Sequence, residues 1–455
     1  MNEEKKGISY VRLFRIFGMI ALGMVIVIVT AISLSDSDEL ADTFRNGVLV
    51  HSETVYITII LALLLPIALL VMTFVIAKSR FGFTLFGKAK KKDNAEDVRF
   101  RSLTGIDGER SRMPKEQLPF LGNLNTLCTE FRDYAASNLH LYYDLSDIRK
   151  FISGFAVSHL MIMQGLSGTG KTSLATAFGE FLCNRSTVIS VQPMWKERSD
   201  VIGYFNEFTK QFSESVLLKK LYEARYSDRI FVIVLDEMNI ARVEYFFADF
   251  LSLMELNEKD RYLEMTSDTW PKDPKLFEKG SFRIPENVWF IGTANNDDST
   301  FAISDKVYDR AMVMNLNQKA RPFTAGQTEG IRMSYRFFEK IVEDAKKTFE
   351  MTARCRRKVA EIDRCLTEQF HITYGNRIRK QMEEYIAVYL ACGGTEQEAL
   401  DDFLMKKILR KLEGQNPIVI AKACARLEEL LDELFEEDGM PLCRNYLHFL
   451  KQLAS

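Results

Sequence analysis

The chain of 455 residues has no C-x-x-C pair among its seven cysteines, which are scattered from Cys128 to Cys443, and its five histidines show no H-x-x-x-H or similar spacing. These absences exclude a recognisable zinc site and a disulfide framework, and they point to reduced thiols. An excess of charge of one sign is lacking too. Sixty basic residues stand against 62 acidic ones, which argues against a dominant nucleic-acid-binding face, so nucleic acid is at most an indirect partner. No nuclease motif and no Cys–His set with catalytic spacing occurs in the sequence.

Long uncharged runs, by contrast, are present. Ile16 to Leu34 and Val55 to Ala77 contain no charged residue. As helices rising ~1.5 Å per residue, each spans or nearly spans a ~30 Å hydrocarbon core. A cleaved signal peptide is the competing reading of the first run, because Lys5, Lys6, Arg12 and Arg15 precede it and small residues follow. The second run has no such alternative. Basic residues before the first run and after the second (Lys78, Arg80, Lys88, Lys90, Lys91 and Lys92) predict a hairpin over residues 1–86 that crosses the lipid bilayer twice, with both ends inside. The expectation is a multi-pass protein of the cell membrane with its main domain in the cytoplasm.

Residues 87–119 turn polar and charged, the composition of a flexible linker. Beyond it, apolar runs such as "HLMIMQG", "IFVIVLDE" and "NVWFIGT" alternate with helical stretches. Alternation of this kind predicts an α/β fold, a parallel sheet covered by helices.

One of these runs leads into "GLSGTGKT", Gly165 to Thr172, which fits G-x-x-x-x-G-K-[ST]. Gly165, Ser167, Gly168, Thr169 and Gly170 form a turn whose backbone N–H groups face phosphates, Lys171 reaches the outer phosphates, and Thr172 ligates magnesium. A surface helix cap is the plain alternative, but "FVIVLDE" supplies a matching second half. Asp236, at the end of an apolar run, is expected to hold the magnesium shell, and Glu237 to polarise the attacking water. A third run, "VWFIGTAN", ends on Asn295, a neutral hydrogen-bonding side chain suited to the water or the γ-phosphate. Three polar strand ends together predict one site at the carboxyl edge of the sheet.

The set resembles the AAA+ ATPases of the dynein-related and MoxR helix-2-insert clade, and most closely the McrB-like branch. The likeness is carried by the phosphate loop, by "VQPMWKERSDVIGYFNEFTKQF" with Trp195, Gly203 and Tyr204, by "LDEMNIARVEYFFADFLSLME", by "GTANNDDSTFAISDKVYDRAMV", and by "YGNRIRKQMEEY" with "ALDDFLMKKILRKLEG". The resemblance implies a P-loop AAA+ subdomain over 120–318 with helices on both faces of its sheet, and an α-helical lid with further helices over 319–455. It also implies a homo-oligomeric ring, a hexamer, in which Arg310 is the arginine finger reaching a neighbouring subunit and Arg377 the sensor-2 arginine. ATP with Mg2+ is the expected pair. Ala294 to Thr300 depart from the M-N-T-A-D-R-S signature of the GTP-using restriction subunit, which favours ATP and leaves GTP as the alternative.

Aromatic residues Trp195, Tyr204, Phe205, Phe208 and Phe212 lie among charges. They suit either a projecting hairpin or a satellite cluster packed on its own domain. Asn257 to Pro285 reads as a second hairpin. Two functions follow from the chemistry. One is a membrane-anchored ATPase that remodels a partner protein or complex. The other is a nucleotide-gated scaffold or sensor that regulates a separately encoded effector such as a nuclease in a defence system.

Overall fold

A computed structural model of the protein describes residues 98–110, 119–295, 300–317, 320–414, 417–436 and 439–454. The chain divides into two compact units, Met1–Asn94 and Ala95–Ser455, and every described residue belongs to the second.

Five strands form the central sheet: β1 (Leu160–Gly165), β2 (Thr187–Ser190), β5 (Phe231–Asp236), β9 (Val288–Asn295) and β10 (Met312–Asn315). They lie in the order β10-β1-β9-β5-β2, and every pairing is parallel. The three central strands are buried along almost their whole length, which is why they read as unbroken apolar runs. Their side chains divide with period two. Ile162, Ile233, Leu235 and Phe290 point into one core, while Met161, Met163, Val232, Val234, Trp289 and Ile291 point into the other. The second core is filled by Phe131, Phe151, Phe155 and Phe178 from helices Leu124–Leu139, Leu145–Val157 and Lys171–Phe181.

From Tyr335 onward the described residues are mainly helical. Helices Ala353–Phe370, Asn376–Ala391 and Glu396–Phe403 gather Leu366, Met382, Tyr385, Leu400 and Phe403 into a third core. A π-turn, Leu404–Ile408, follows directly on the last of these helices.

Two small antiparallel sheets decorate the main one. Strands β3 (Gly203–Asn206) and β4 (Gln211–Glu214) make the first. Here the two readings of the aromatic stretch divide by residue. Phe212 is buried and stacks on Phe100, Trp195 packs edge-on against Phe246, and Phe205 packs on the core. Tyr204 is exposed, and Phe208 at the hairpin tip is 100% exposed. The second expected hairpin is a sheet of three strands, β6 (Tyr262–Glu264), β7 (Phe277–Glu278) and β8 (Ser281–Arg283), in the order β6-β8-β7.

The expectation of a flexible linker over 87–119 is corrected at residues 98–110. Arg101–Arg110 is a helix, with Arg99, Phe100, Leu103 and Asp107 buried. The Arg99 guanidinium donates from Nε and Nη2 to the two oxygens of Asp273, both at 2.7 Å, and from Nη1 to Asp268 at 2.7 Å. Asp107 accepts from Tyr222 at 2.6 Å and from the Lys275 backbone N–H at 2.9 Å. Charges that look solvated in the sequence therefore staple this segment to the second small sheet and to helix Val216–Ala224.

The membrane location is likewise corrected: among the described residues no helix is long and apolar enough to cross a membrane. The runs 16–34 and 55–77 on which that expectation rested, and the whole 1–86 hairpin, lie outside the described residues.

Candidate functional site

The register of the sheet assembles the site. Gly165 at the end of β1 pairs with Asn295 at the end of β9, and Ser190 pairs with Asp236 across β2 and β5. The polar strand ends thus share one edge.

The loop leaves β1 through Gly165, whose φ is +146°. A Cβ at that position would stand 2.3 Å from the Leu316 carbonyl oxygen, so only glycine lets the loop start against the chain beyond β10. Thr169 Oγ1 donates to the Leu166 carbonyl at 2.9 Å and closes the turn. Helix Lys171–Phe181 begins after Gly170, whose φ is +92° and whose carbonyl accepts from the Tyr143 hydroxyl at 3.3 Å. Lys171 is buried, and its Nζ arches back to donate to the carbonyls of Gly165 and Leu166 at 2.9 and 2.8 Å. The ammonium therefore lies over the loop, beside the positive N-terminal end of the helix.

Asp236 is the centre of the hydroxyl network. Its Oδ1 accepts from Thr172 Oγ1 at 2.7 Å and from Thr293 Oγ1 at 2.8 Å, and Thr293 Oγ1 in turn accepts from the Glu237 backbone N–H at 2.9 Å. Glu237 has φ +53° and ψ +46°, a left-handed conformation that costs a non-glycine residue ~1–2 kcal/mol. The strand stops there, and the Glu237 side chain turns to solvent while Asp236 stays half-buried. Two adjacent carboxylates thereby acquire different surroundings.

Asn295 is held by its backbone. Buried Asn239 donates from Nδ2 to the Asn295 carbonyl at 2.8 Å and accepts from the Asn295 N–H at 3.4 Å. Residues 296–299, the continuation of the motif, lie outside the described residues.

The two arginines gather elsewhere, on Glu255. Arg310 Nε lies 2.7 Å and Arg377 Nη2 2.6 Å from the same oxygen of that carboxylate. The turn bearing Arg310 is held by the helical half. Lys407, buried in the π-turn, donates to the carbonyls of Tyr308 and Ala311 at 2.6 and 2.7 Å, Arg410 pairs with Asp305 at 2.7 Å, and Lys411 pairs with Asp309 at 3.1 Å. Tyr308 also accepts a hydrogen bond from Gln164, the residue before the phosphate loop.

Burial pushes the Lys407 ammonium down to about 7, with Asp309 opposing and Arg410, Lys411 and Arg377 reinforcing the shift. The folded state then binds fewer protons than the unfolded state between about pH 7 and the ordinary lysine value of ~10.4, so this group makes stability rise with pH across that window. In chemical denaturation, the stability of the wild type relative to Lys407→Met is expected to grow between pH 7 and 9, with a slope approaching ~1.4 kcal/mol per pH unit. A difference that does not change with pH would mean that Lys407 stays charged in the fold.

Lys171, Thr172, Asp236, Glu237 and Asn295 thus share one sheet edge, and Arg310 and Arg377 share Glu255. Sequence reasoning missed Thr293, Asn239 and Glu255. The first two sit inside the motifs themselves, as polar residues beside buried strand ends. Glu255 carries no local signal. Among the described residues no group of three or more histidine, cysteine or acidic side chains could hold a metal ion. The donor set at the loop, one hydroxyl and one carboxylate, fits an oxygen-seeking ion such as magnesium that takes its remaining ligands from phosphate and water.

Two family models and two known proteins share likeness with the chain. Residues 160–311 match the family model of the AAA domain, dynein-related subfamily. Residues 328–454 match that of a domain of unknown function, DUF8727. The Type IV methyl-directed restriction enzyme EcoKMcrB subunit of Escherichia coli (strain K12) is 22% identical over 174 residues, covering 36% of this chain and 36% of that protein. The chain thus matches about a third of the length of this curated relative. A crystal structure from Cytophaga hutchinsonii ATCC 33406 overlays with a TM-score of 0.41 at 12% identity, over 73% of this chain and 95% of that one. The fold is a parallel-sheet α/β fold of the AAA type with helices, similar to AAA+ ATPases of the McrB kind.

Proposed function

We propose that the chain binds a nucleoside triphosphate with magnesium at the Gly165–Thr172 loop and hydrolyses it, with ATP favoured over GTP. In this reading it works as a subunit of a homo-oligomeric ring, a hexamer, that rearranges a partner protein or complex. The observation that carries the reading is the convergence of Thr172 Oγ1 and Thr293 Oγ1 on Asp236 Oδ1, with Glu237 next in the chain. Thr172 and Asp236 would hold the magnesium ion, which neutralises phosphate charge when bound. Lys171 and the helix N-terminus bind and orient the phosphates. Glu237 accepts a proton from the attacking water, and Asn295 orients that water by hydrogen bonding. The exposed Phe208 and Tyr204 of the β3–β4 hairpin are surfaces a partner protein could grip.

A second reading, a nucleotide-gated scaffold that regulates a separately encoded effector such as a nuclease, is favoured by the likeness to a restriction-enzyme subunit. Turnover separates the two. Purified full-length chain is expected to bind a fluorescent ATP analogue and to hydrolyse ATP with magnesium, and Lys171→Ala to weaken binding at least about tenfold through loss of a charge-assisted hydrogen bond to phosphate. Binding without turnover would favour the scaffold. Hydrolysis restricted to GTP would overturn the nucleotide assignment.

A further inference from the structure

Glu255 stands just beyond the short helix Ala248–Leu253, on the sheet half of the molecule. Its Oε1 takes one nitrogen from Arg310 and one from Arg377, so the two guanidinium groups are neighbours despite their like charge. Arg310 comes from the sheet half and Arg377 from the first turn of helix Asn376–Ala391 in the helical half. The carboxylates nearest to Arg310 in sequence are already engaged, Asp305 by Arg410 and Asp309 by Lys411. Arg310 also donates from Nη1 to the Lys306 carbonyl at 2.6 Å. Nη1 is thus hydrogen-bonded, while buried Nε meets Glu255 at ion-pair distance without hydrogen-bond geometry. Arg377 is held through Nη2 alone, and its side chain is 50% exposed.

Two arginines and one carboxylate leave one surplus positive charge, with donors still available on both guanidinium groups. We propose that Glu255 is a positioning residue that holds Arg310 and Arg377 side by side as a two-arginine seat for the terminal phosphate of a nucleotide bound by another copy of this chain. The inference rests on the proposed hydrolysis and on a trans role for Arg310. What it adds is the carboxylate that orients both arginines and ties the helical half to the finger. A guanidinium presents its donors in a rigid fork, so an orienting partner decides whether that fork meets a phosphate. Without Glu255 the two like charges repel and each side chain regains its rotamers.

The test is steady-state hydrolysis by full-length Glu255→Gln, Glu255→Ala and Glu255→Asp, with binding of a fluorescent ATP analogue measured on each. Glutamine keeps the volume and removes the charge. The expected result is a kcat lowered about 10- to 100-fold in the glutamine and alanine variants, the scale of a misplaced catalytic group. KM and analogue binding should stay within about twofold, since the phosphate loop is untouched, and aspartate should restore part of the activity. Adding Glu255→Ala to the Arg310→Ala, Arg377→Ala double variant should lower kcat no further than that double variant alone, because Glu255 acts only through the two arginines. Wild-type kcat in Glu255→Gln beside an inactive Arg310→Ala would overturn the inference and leave the hydrolysis reading standing. A raised kcat would overturn it as well, because Glu255 would then compete with phosphate for the arginines. Full activity in Arg310→Ala would instead remove the trans finger on which the inference rests.

Discussion

Replacing Glu237 with glutamine is expected to cut turnover roughly 10²- to 10⁴-fold, the range for loss of a general base, while nucleotide binding stays within a few-fold. The proposed roles separate the two effects. In the proposed mechanism binding depends on the Gly165–Thr172 loop, on Lys171 held over it, and on the hydroxyl network at Asp236. Glu237 enters that network only through its backbone N–H, which donates to Thr293 and survives the substitution. Its side chain points to solvent from a left-handed backbone position, and glutamine can occupy that position at similar cost. What disappears is the carboxylate proposed to take the proton from water. The measurement is single-turnover hydrolysis alongside titration of a fluorescent ATP analogue. Turnover unchanged in Glu237→Gln would remove Glu237 from the chemistry, and binding lost in parallel would make it a structural support of the loop.

Mixing two inactive proteins, Arg310→Ala and Lys171→Ala, is expected to restore part of the activity. A subunit that lacks its own finger keeps an intact phosphate loop, and it can borrow Arg310 from a neighbour whose Lys171 is missing. An arginine finger is worth ~10³–10⁵ in rate, so even a minority of correctly paired neighbours should stand above background. The placement of Arg310 suits such a role. It sits on a turn fixed by Lys407, Arg410 and Lys411, and its own ion pair is with Glu255 rather than with the carboxylates beside the phosphate loop. Arg310 leaves the proposed mechanism if the mixture stays inactive while labelled subunits demonstrably exchange.

Much of the candidate site's layout was legible in the sequence, because its signals are local. A strand buried on both faces must be apolar throughout, a phosphate turn needs glycines where a Cβ would collide, and a carboxylate that follows an apolar run must stand at a strand end. Gly165, Lys171, Thr172, Asp236 and Asn295 could be placed on one edge by that reasoning, and the sheet register brings them there. Asn239 and Thr293 lay within the same motifs, but which polar neighbour bonds which depends on the strand order, and sequence spacing does not carry that order.

By itself, then, the sequence determined the parallel sheet, the phosphate loop and its acidic partner strand, since periodicity and steric exclusion act over a few residues. Tertiary structure alone decided where the charges went. Arg99 and Asp107 look like part of a solvated linker, yet they are buried against residues more than a hundred positions away, where two aspartates and two tyrosine hydroxyls satisfy them. Arg310 could have paired with Asp305 or Asp309 close by, but Arg410 and Lys411 take those carboxylates and Glu255 receives Arg310 together with Arg377. A charged side chain can be buried only where opposite charge or hydrogen-bonding groups meet it. The partners that meet it are brought by the fold from anywhere in the chain.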